Sequence, residues 1–152
     1  MARLVLRVGL LVAVAAALGC GKRPPQFIEV SGVVLLNGQP LPNAKVEFVP
    51  DVQGFGAEIN SFGISDDQGR FTLARSMSRE PGTAVAKSWV LITELPTPRE
   101  YRSQDPATQA RFAEYQAKLK NRPIPAGYGS LATAMVIEVK PDQKEYTIEL
   151  TR

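Results

Sequence analysis

Apolar and charged residues alternate along much of this chain, and the alternation predicts strands. Residues 27–36 are rich in β-branched and apolar side chains and read as a strand that ends at Asn37-Gly38, a strong hairpin signal. Pro40 and Pro42 prolong that turn. In residues 44–50, Ala44, Val46 and Phe48 point inward while Lys45 and Glu47 point outward, and Pro50 ends the segment. Residues 51–61 read as a loop and 62–65 as a short strand. Asp66-Asp67-Gln68-Gly69 is a turn in which carboxylates cap nearby N–H groups and Gly69 supplies positive φ. Residues 70–75 alternate again, with Phe71 and Leu73 inward, and Pro81-Gly82 turns the chain. Residues 84–94, with Trp89, Val90, Leu91 and Ile92, suit a central strand buried on both faces. Val139 completes the expected core.

The period then changes from two to that of a helix. Asp105-Pro106 is a cap followed by a first-turn proline, and Phe112, Tyr115 and Leu119 share one face. Glu114 and Lys118 are spaced as an i, i+4 pair. Asn121 and Pro123 stop this helix, whose stripe is expected to cover one sheet. Residues 133–139 and 145–150 read as a hairpin around Pro141-Asp142. About seven strands with turn signals every 8–12 residues predict an all-β antiparallel sandwich with one inserted α-helix in the segment 95–122.

The first residues follow neither pattern. Arg3 and Arg7 precede an uncharged apolar run at 8–18, too short for a bilayer core, which needs about 20 residues. It fits the apolar region of a signal peptide. Ala17-Leu18-Gly19-Cys20 then resembles the lipobox of bacterial lipoprotein precursors, with Ala17 where that family prefers Leu. The resemblance implies cleavage before Cys20, giving a signal peptide at 1–19 and an acylated Cys20. An ordinary leader or an uncleaved anchor are the alternatives. Residues 20–26, stiffened by Pro24-Pro25, read as a lipidated tether, and 27–152 as the folded domain. Lys22 and Arg23 are placed either to touch anionic head groups or to solvate the linker.

Composition narrows the chemistry. The chain has no histidine and one cysteine. That removes Ser-His-Asp and Cys-His catalysis, histidine-ligated metals and intrachain disulfides. Cleavage would remove Arg3 and Arg7, leaving 16 basic against 15 acidic residues, so no basic excess points to nucleic acid. Asp66-Asp67 supplies two carboxylates where calcium takes six to eight oxygens, so it reads as a turn. We expect no cofactor, no metal site and no catalytic residue.

Gly38-Gln-Pro-Leu-Pro-Asn-Ala-Lys-Val-Glu-Phe48 and Ser65-Asp-Asp-Gln-Gly-Arg-Phe-Thr-Leu73 resemble the carboxypeptidase regulatory-like domain. Ile124-Pro125, Tyr128 and Val136-Ile-Glu-Val-Lys-Pro141 resemble the closing half of lipoproteins of this kind from planctomycete-like bacteria. The resemblance covers about residues 27–94 and 123–150. It implies a transthyretin-like (prealbumin-like) Greek-key sandwich of seven strands. This chain has Pro81-Gly82-Thr83-Ala84 where the family usually has a P-G-x-Y turn, and 95–122 is an insertion. The motif residues are structural and specify fold more than activity. Two enzyme families on this architecture, hydroxyisourate hydrolases and intradiol dioxygenases, need histidines that are absent here.

The expectation is therefore a non-enzymatic lipoprotein of the cell envelope, periplasm-facing on the outer membrane, that acts as a structural or protein-interaction module. The alternative is a carbohydrate or small-ligand binding module, with Trp89, Tyr101, Tyr115 and Tyr128 as possible ligand contacts. Its partners would be the membrane, through the anchor, and an envelope protein or glycan. Mass spectrometry of the native N-terminus checks the anchor: the first residue should be acylated Cys20, because two signals are needed for stable attachment. An unmodified peptide running through Cys20 as the dominant species contradicts it.

Overall fold

The computed structural model describes residues 22–152, and the expected signal peptide and Cys20 lie outside the described residues. Two packed sheets form a β-sandwich. One has the strand order β10-β9-β4-β5-β7, built from Met135–Glu138, Lys87–Glu94, Ala44–Pro50, Ser61–Ile64 and Ala74–Arg75. The other centres on β2 (Ser31–Leu36), flanked by β11 (Glu145–Leu150) on one side and by β3 (Gln39–Pro40) and β6 (Arg70–Thr72) on the other. A two-residue ribbon, β1 (Phe27–Ile28) with β8 (Thr83–Ala84), closes one end. The strands β2, β4, β5, β6, β9, β10 and β11 are the longer ones and fall within the expected segments, but 70–75 is not one strand. The chain crosses at Leu73 from β6, paired with β2, to β7, paired with β5 in the larger sheet.

Alternation sets the core. In β4 every second residue is buried, with Ala44, Val46 and Phe48 inward and Lys45 bonded to Glu47 outside. Facing residues from the other sheet are Val34, Leu36, Phe71, Ile148 and Leu150. Leu73, Val90, Ile92 and Val139 are buried as expected. Asn37 (φ 53) and Gly38 (φ 72) form the hairpin turn between β2 and β3, both residues left-handed as such a turn requires. The hairpin is brief, and Leu41-Pro42 carries the chain across to the other sheet. Ser65 pins that crossing: its Oγ donates to the Leu41 carbonyl at 2.6 Å and accepts from the Ala44 N–H at 2.9 Å.

Three further expectations need correction. Residues 133–139 and 145–150 do not form a hairpin. β10 joins β9, and β11 joins β2 in parallel, Glu145 opposite Ser31 through Leu150 opposite Leu36. The Val139 N–H still bonds to the Ala86 carbonyl, and the Ser31 N–H already bonds to the Lys144 carbonyl, so residues 140–144 cross between sheets. The first strand breaks at Glu29-Val30, because residues before the break pair with β8 rather than with sheet neighbours of β2. Finally, β9 is central but not buried on both faces. Val90 and Ile92 are buried, whereas Trp89, Leu91 and Thr93 lie half-exposed on an outer face. Among the described residues no second sheet or helix layer covers that face, and only the turn at Ala126–Gly129 touches it, at Thr93.

The register also defines two poles. β2 and β11 run upward from Ser31 and Glu145, β4 runs down to Pro50, and β9 runs up to Glu94. The lower pole holds residues 22–28 and the loop after Pro50, joined by a bond from Lys22 Nζ to the Gly54 carbonyl at 3.0 Å. The upper pole holds the Asn37-Gly38 turn, the start of β4, the end of β9 and the C-terminus.

Gly32 marks the tightest contact between strands. A Cβ there would lie 2.2 Å from the Tyr146 carbonyl oxygen and 2.8 Å from the Phe71 ring. Gly32→Ala should therefore destabilise by about 1–3 kcal/mol through overpacking. Phe71→Ala should cost about 3–5 kcal/mol, since the ring is almost fully buried. Urea denaturation checks both; a loss below about 1 kcal/mol for Phe71→Ala contradicts the packing.

Candidate functional site

The insertion grows from the upper end of β9. After Glu94 come Leu95-Pro96-Thr97-Pro98, where two prolines remove ladder donors and end the sheet. A 3₁₀ turn at Arg99–Tyr101 follows, then helix α1 at Pro106–Lys118. Asp105 caps α1 as expected: its Oδ1 accepts from the Thr108 N–H at 2.9 Å, and Ser103 Oγ donates to its Oδ2. Leu119 is extended and Asn121 adopts φ 58, so the helix ends one turn before the expected limit.

Two adjacent residues tie the returning chain down. Asn121 Nδ2 donates to the carbonyls of Leu36 at 3.0 Å and Gln39 at 3.2 Å, on the β2–β3 hairpin. Arg122 Nη2 donates to the carbonyls of Pro42 and of Asn43, the latter at 2.9 Å. Arg122 Nε lies 2.8 Å from Glu94 Oε2, and Glu94 Oε1 accepts from the Ile124 N–H at 3.0 Å. The last residue of β9 and the end of the insertion are thus joined, and the whole excursion closes on itself. The Arg122 side chain is only 11% exposed.

Helix α1 does not cover a sheet, which corrects the expectation for its apolar stripe. The stripe faces the proline segment and the 3₁₀ turn. Tyr101 stacks on Tyr115 at 5.2 Å between ring centroids and lies 5.5 Å from Phe112. Between helix and proline segment lies a cleft of about 440 Å³, walled by Leu95, Pro96, Pro98, Phe112, Tyr115 and Leu119. Asn43, Gln116, Glu94 and Arg122 add polar groups at its edge. That volume falls within the range of ligand pockets, about 300–1,000 Å³. The expected Glu114–Lys118 ion pair is not closed; the ion pairs among the described residues are Lys45–Glu47, Arg75–Glu80 and Arg122–Glu94.

The four aromatic residues singled out from the sequence do not form one site. Tyr115 lines the cleft, and Tyr101 backs it. Trp89 lies on the outer face of the larger sheet, between Val49 and Val136. Tyr128 is a structural tie: its hydroxyl accepts from the Thr151 N–H at 2.9 Å and donates to the Thr151 carbonyl at 3.1 Å. The sequence reading missed Pro96, Pro98, Glu94 and Arg122. The Pro-x-Pro pair directly after a strand was the one available signal, since it detaches the chain from the sheet.

A second, shallower concavity of about 960 Å³ lies on the outside of the smaller sheet, lined by Ser31, Val33, Arg70, Thr72, Glu145 and Thr147. Its walls carry no exposed aromatic ring. The adjoining Asp66 uses its Oδ1 to accept from the N–H groups of Gln68 and Arg70, both at 2.9 Å, as a turn residue does. Among the described residues no three His, Cys, Asp or Glu side chains converge as a metal site, and no helix is long and apolar enough to cross a membrane.

No family model and no curated protein matches the chain. Among solved structures it is similar to a 9R-lipoxygenase from Cyanothece PCC8801, at 16% identity and a TM-score of 0.36. The alignment covers 99% of this chain and 22% of that one, and at that TM-score it carries no argument about function.

The cap gives a pH test. The Ser103 hydroxyl, and after it the Thr108 backbone, hold the Asp105 carboxyl at about 2, below its ordinary value of 3.8. A depressed carboxyl stabilises the fold above the unfolded value, and that contribution is lost as pH falls from near 4 towards 2. An NMR titration should place the Asp105 midpoint near 2, with the Thr108 amide shifting in step. A midpoint near 4 contradicts the cap geometry.

Proposed function

We propose that the chain is a lipid-anchored, non-enzymatic envelope protein related to the carboxypeptidase regulatory-like domain, and that it presents its insertion as a protein-interaction surface. The observation that carries this reading is the separation of the poles. Residues 22–26 enter at the lower pole and the insertion crowns the upper one. A tether of this length reaches under roughly 20 Å, so the lower pole would ride on the membrane. The strands then lift the cleft about 20 Å further, at 3.3 Å per residue.

The interaction reading is favoured over sugar stacking by the rings themselves. Tyr101 and Tyr115 stack on each other and are half-buried, so they do not offer a free aromatic platform. It is favoured over catalysis because the ionisable pair at the cleft, Glu94 and Arg122, is committed to itself and to backbone groups. With no histidine in the chain, no proton shuttle of the usual kind stands nearby.

Photo-crosslinking in the native envelope tests this. A benzophenone amino acid at Gln116, in the cleft wall, should give a discrete adduct with another envelope protein. The same probe at Gln143, at the lower pole, should not. Equal adducts from both positions, or none from Gln116, contradict the reading.

A further inference from the structure

We infer that the cleft binds an acidic, extended peptide segment that inserts one apolar side chain. This deepens the interaction reading above and rests on it. The first observation is the shape and chemistry of the cleft. Its lining is mostly apolar, from Leu95, Pro96, Pro98, Phe112, Tyr115 and Leu119, with a polar minority that includes Gln116 and Arg122. An apolar slot of about 440 Å³ is suited to one large apolar anchor rather than to a fully polar ligand.

The second observation is charge. The insertion carries Arg99, Arg102, Arg111, Lys118, Lys120 and Arg122 against Glu100, Asp105 and Glu114. The rest of the described chain carries more acidic than basic residues, so the net positive charge lies in the insertion. Four of the cations adjoin residues of the cleft wall. Lys118 and Lys120 flank Leu119 and are exposed, Arg111 precedes Phe112, and Arg102 Nε donates to the carbonyl of Thr97 in the cleft wall at 2.9 Å. The anions do not balance them. Asp105 is committed to the helix cap, and Glu94 to Arg122 and the Ile124 N–H. Glu100 and Glu114 remain, against these four cations. An apolar slot bordered by a basic rim selects a partner with an apolar residue between carboxylates. The rim steers its approach and the slot retains it.

An anisotropy experiment separates these elements. The full chain, reconstituted in phosphatidylcholine nanodiscs, is titrated into three labelled peptides. One has a Phe between blocks of Asp and Glu, one has the same Phe between Lys and Arg, and one has Gly between Asp and Glu. The first should bind at least about tenfold tighter than either of the others, and more weakly as salt rises. Lys118→Glu with Lys120→Glu should weaken it at least about tenfold, and these exposed changes leave the fold intact by circular dichroism. Tyr115→Ala should weaken it comparably. Equal binding of the acidic and basic peptides overturns the inference, as does charge reversal without effect. Displacement of the acidic peptide by hyaluronate, with no contribution from its Phe, overturns it in favour of an anionic polysaccharide. If the peptides fail while the Gln116 adduct persists, the partner chemistry is wrong and the interaction surface stands. If both fail, the interaction reading falls.

Discussion

The parallel ladder of β11 on β2 fixes the arrangement of everything else. β2 climbs from the lower pole, so a parallel partner must start there too. After β10 descends beside β9, the chain has to cross between sheets at residues 140–144 before β11 can begin. The C-terminus is thereby delivered to the upper pole, where the Asn37 N–H bonds to the Leu150 carbonyl and the Arg152 N–H to Asn37 Oδ1. Gly32 is what allows the ladder to close, since any side chain would meet Tyr146 and Phe71. Tyr146, Ile148 and Leu150 then complete the core beside Phe48 and Leu36.

Against that frame the insertion is a closed excursion. Its two ends meet at Glu94 and Arg122, and Asn121 and Arg122 fasten it to five backbone carbonyls on the neighbouring turns. The buried Arg122 is only partly compensated: Nη2 has two carbonyl acceptors and Nε lies beside Glu94, while Nη1 has no hydrogen-bond partner among the described residues. Removing Glu94 would therefore leave its charge in a poorly hydrated place. The clamp holds the base of the insertion, and the rings of Tyr101, Phe112 and Tyr115 hold its crown. The cleft lies between these two fastenings. Its shape follows from prolines that detach the strand and from a helix too far displaced to lie on a sheet.

Local patterns in the sequence carried much of this. Period-two alternation identified β4 and β6 and placed Phe48 and Phe71 inside. Asn37-Gly38 and Asp105-Pro106 behaved as their residue types require. What alternation cannot encode is the neighbour. Residues 145–150 show the same inward set whether they pair with β10 or with β2, so the hairpin expectation failed without any residue being misjudged. The outer face of β9 misled for a related reason: Trp89 and Leu91 are apolar yet lie half-exposed, on a side that no second sheet covers among the described residues. The cleft depended on Arg122 reaching Pro42 and Asn43, some 80 positions earlier in the chain, and no local signal announces such a contact. The proposed anchor at Cys20 comes from motif and spacing, outside the described residues.

The separation of tether and insertion at opposite poles is the claim on which the functional account turns. Spin labels placed through Gln53→Cys and Gln116→Cys, in a chain carrying Cys20→Ser, measure it directly by electron–electron dipolar coupling. The fold predicts a separation of about 20 Å or more, since the length of β4 lies between the two sites. A distance distribution centred below about 15 Å, shorter than that strand, would put tether and cleft at the same end of the sandwich and contradict the account.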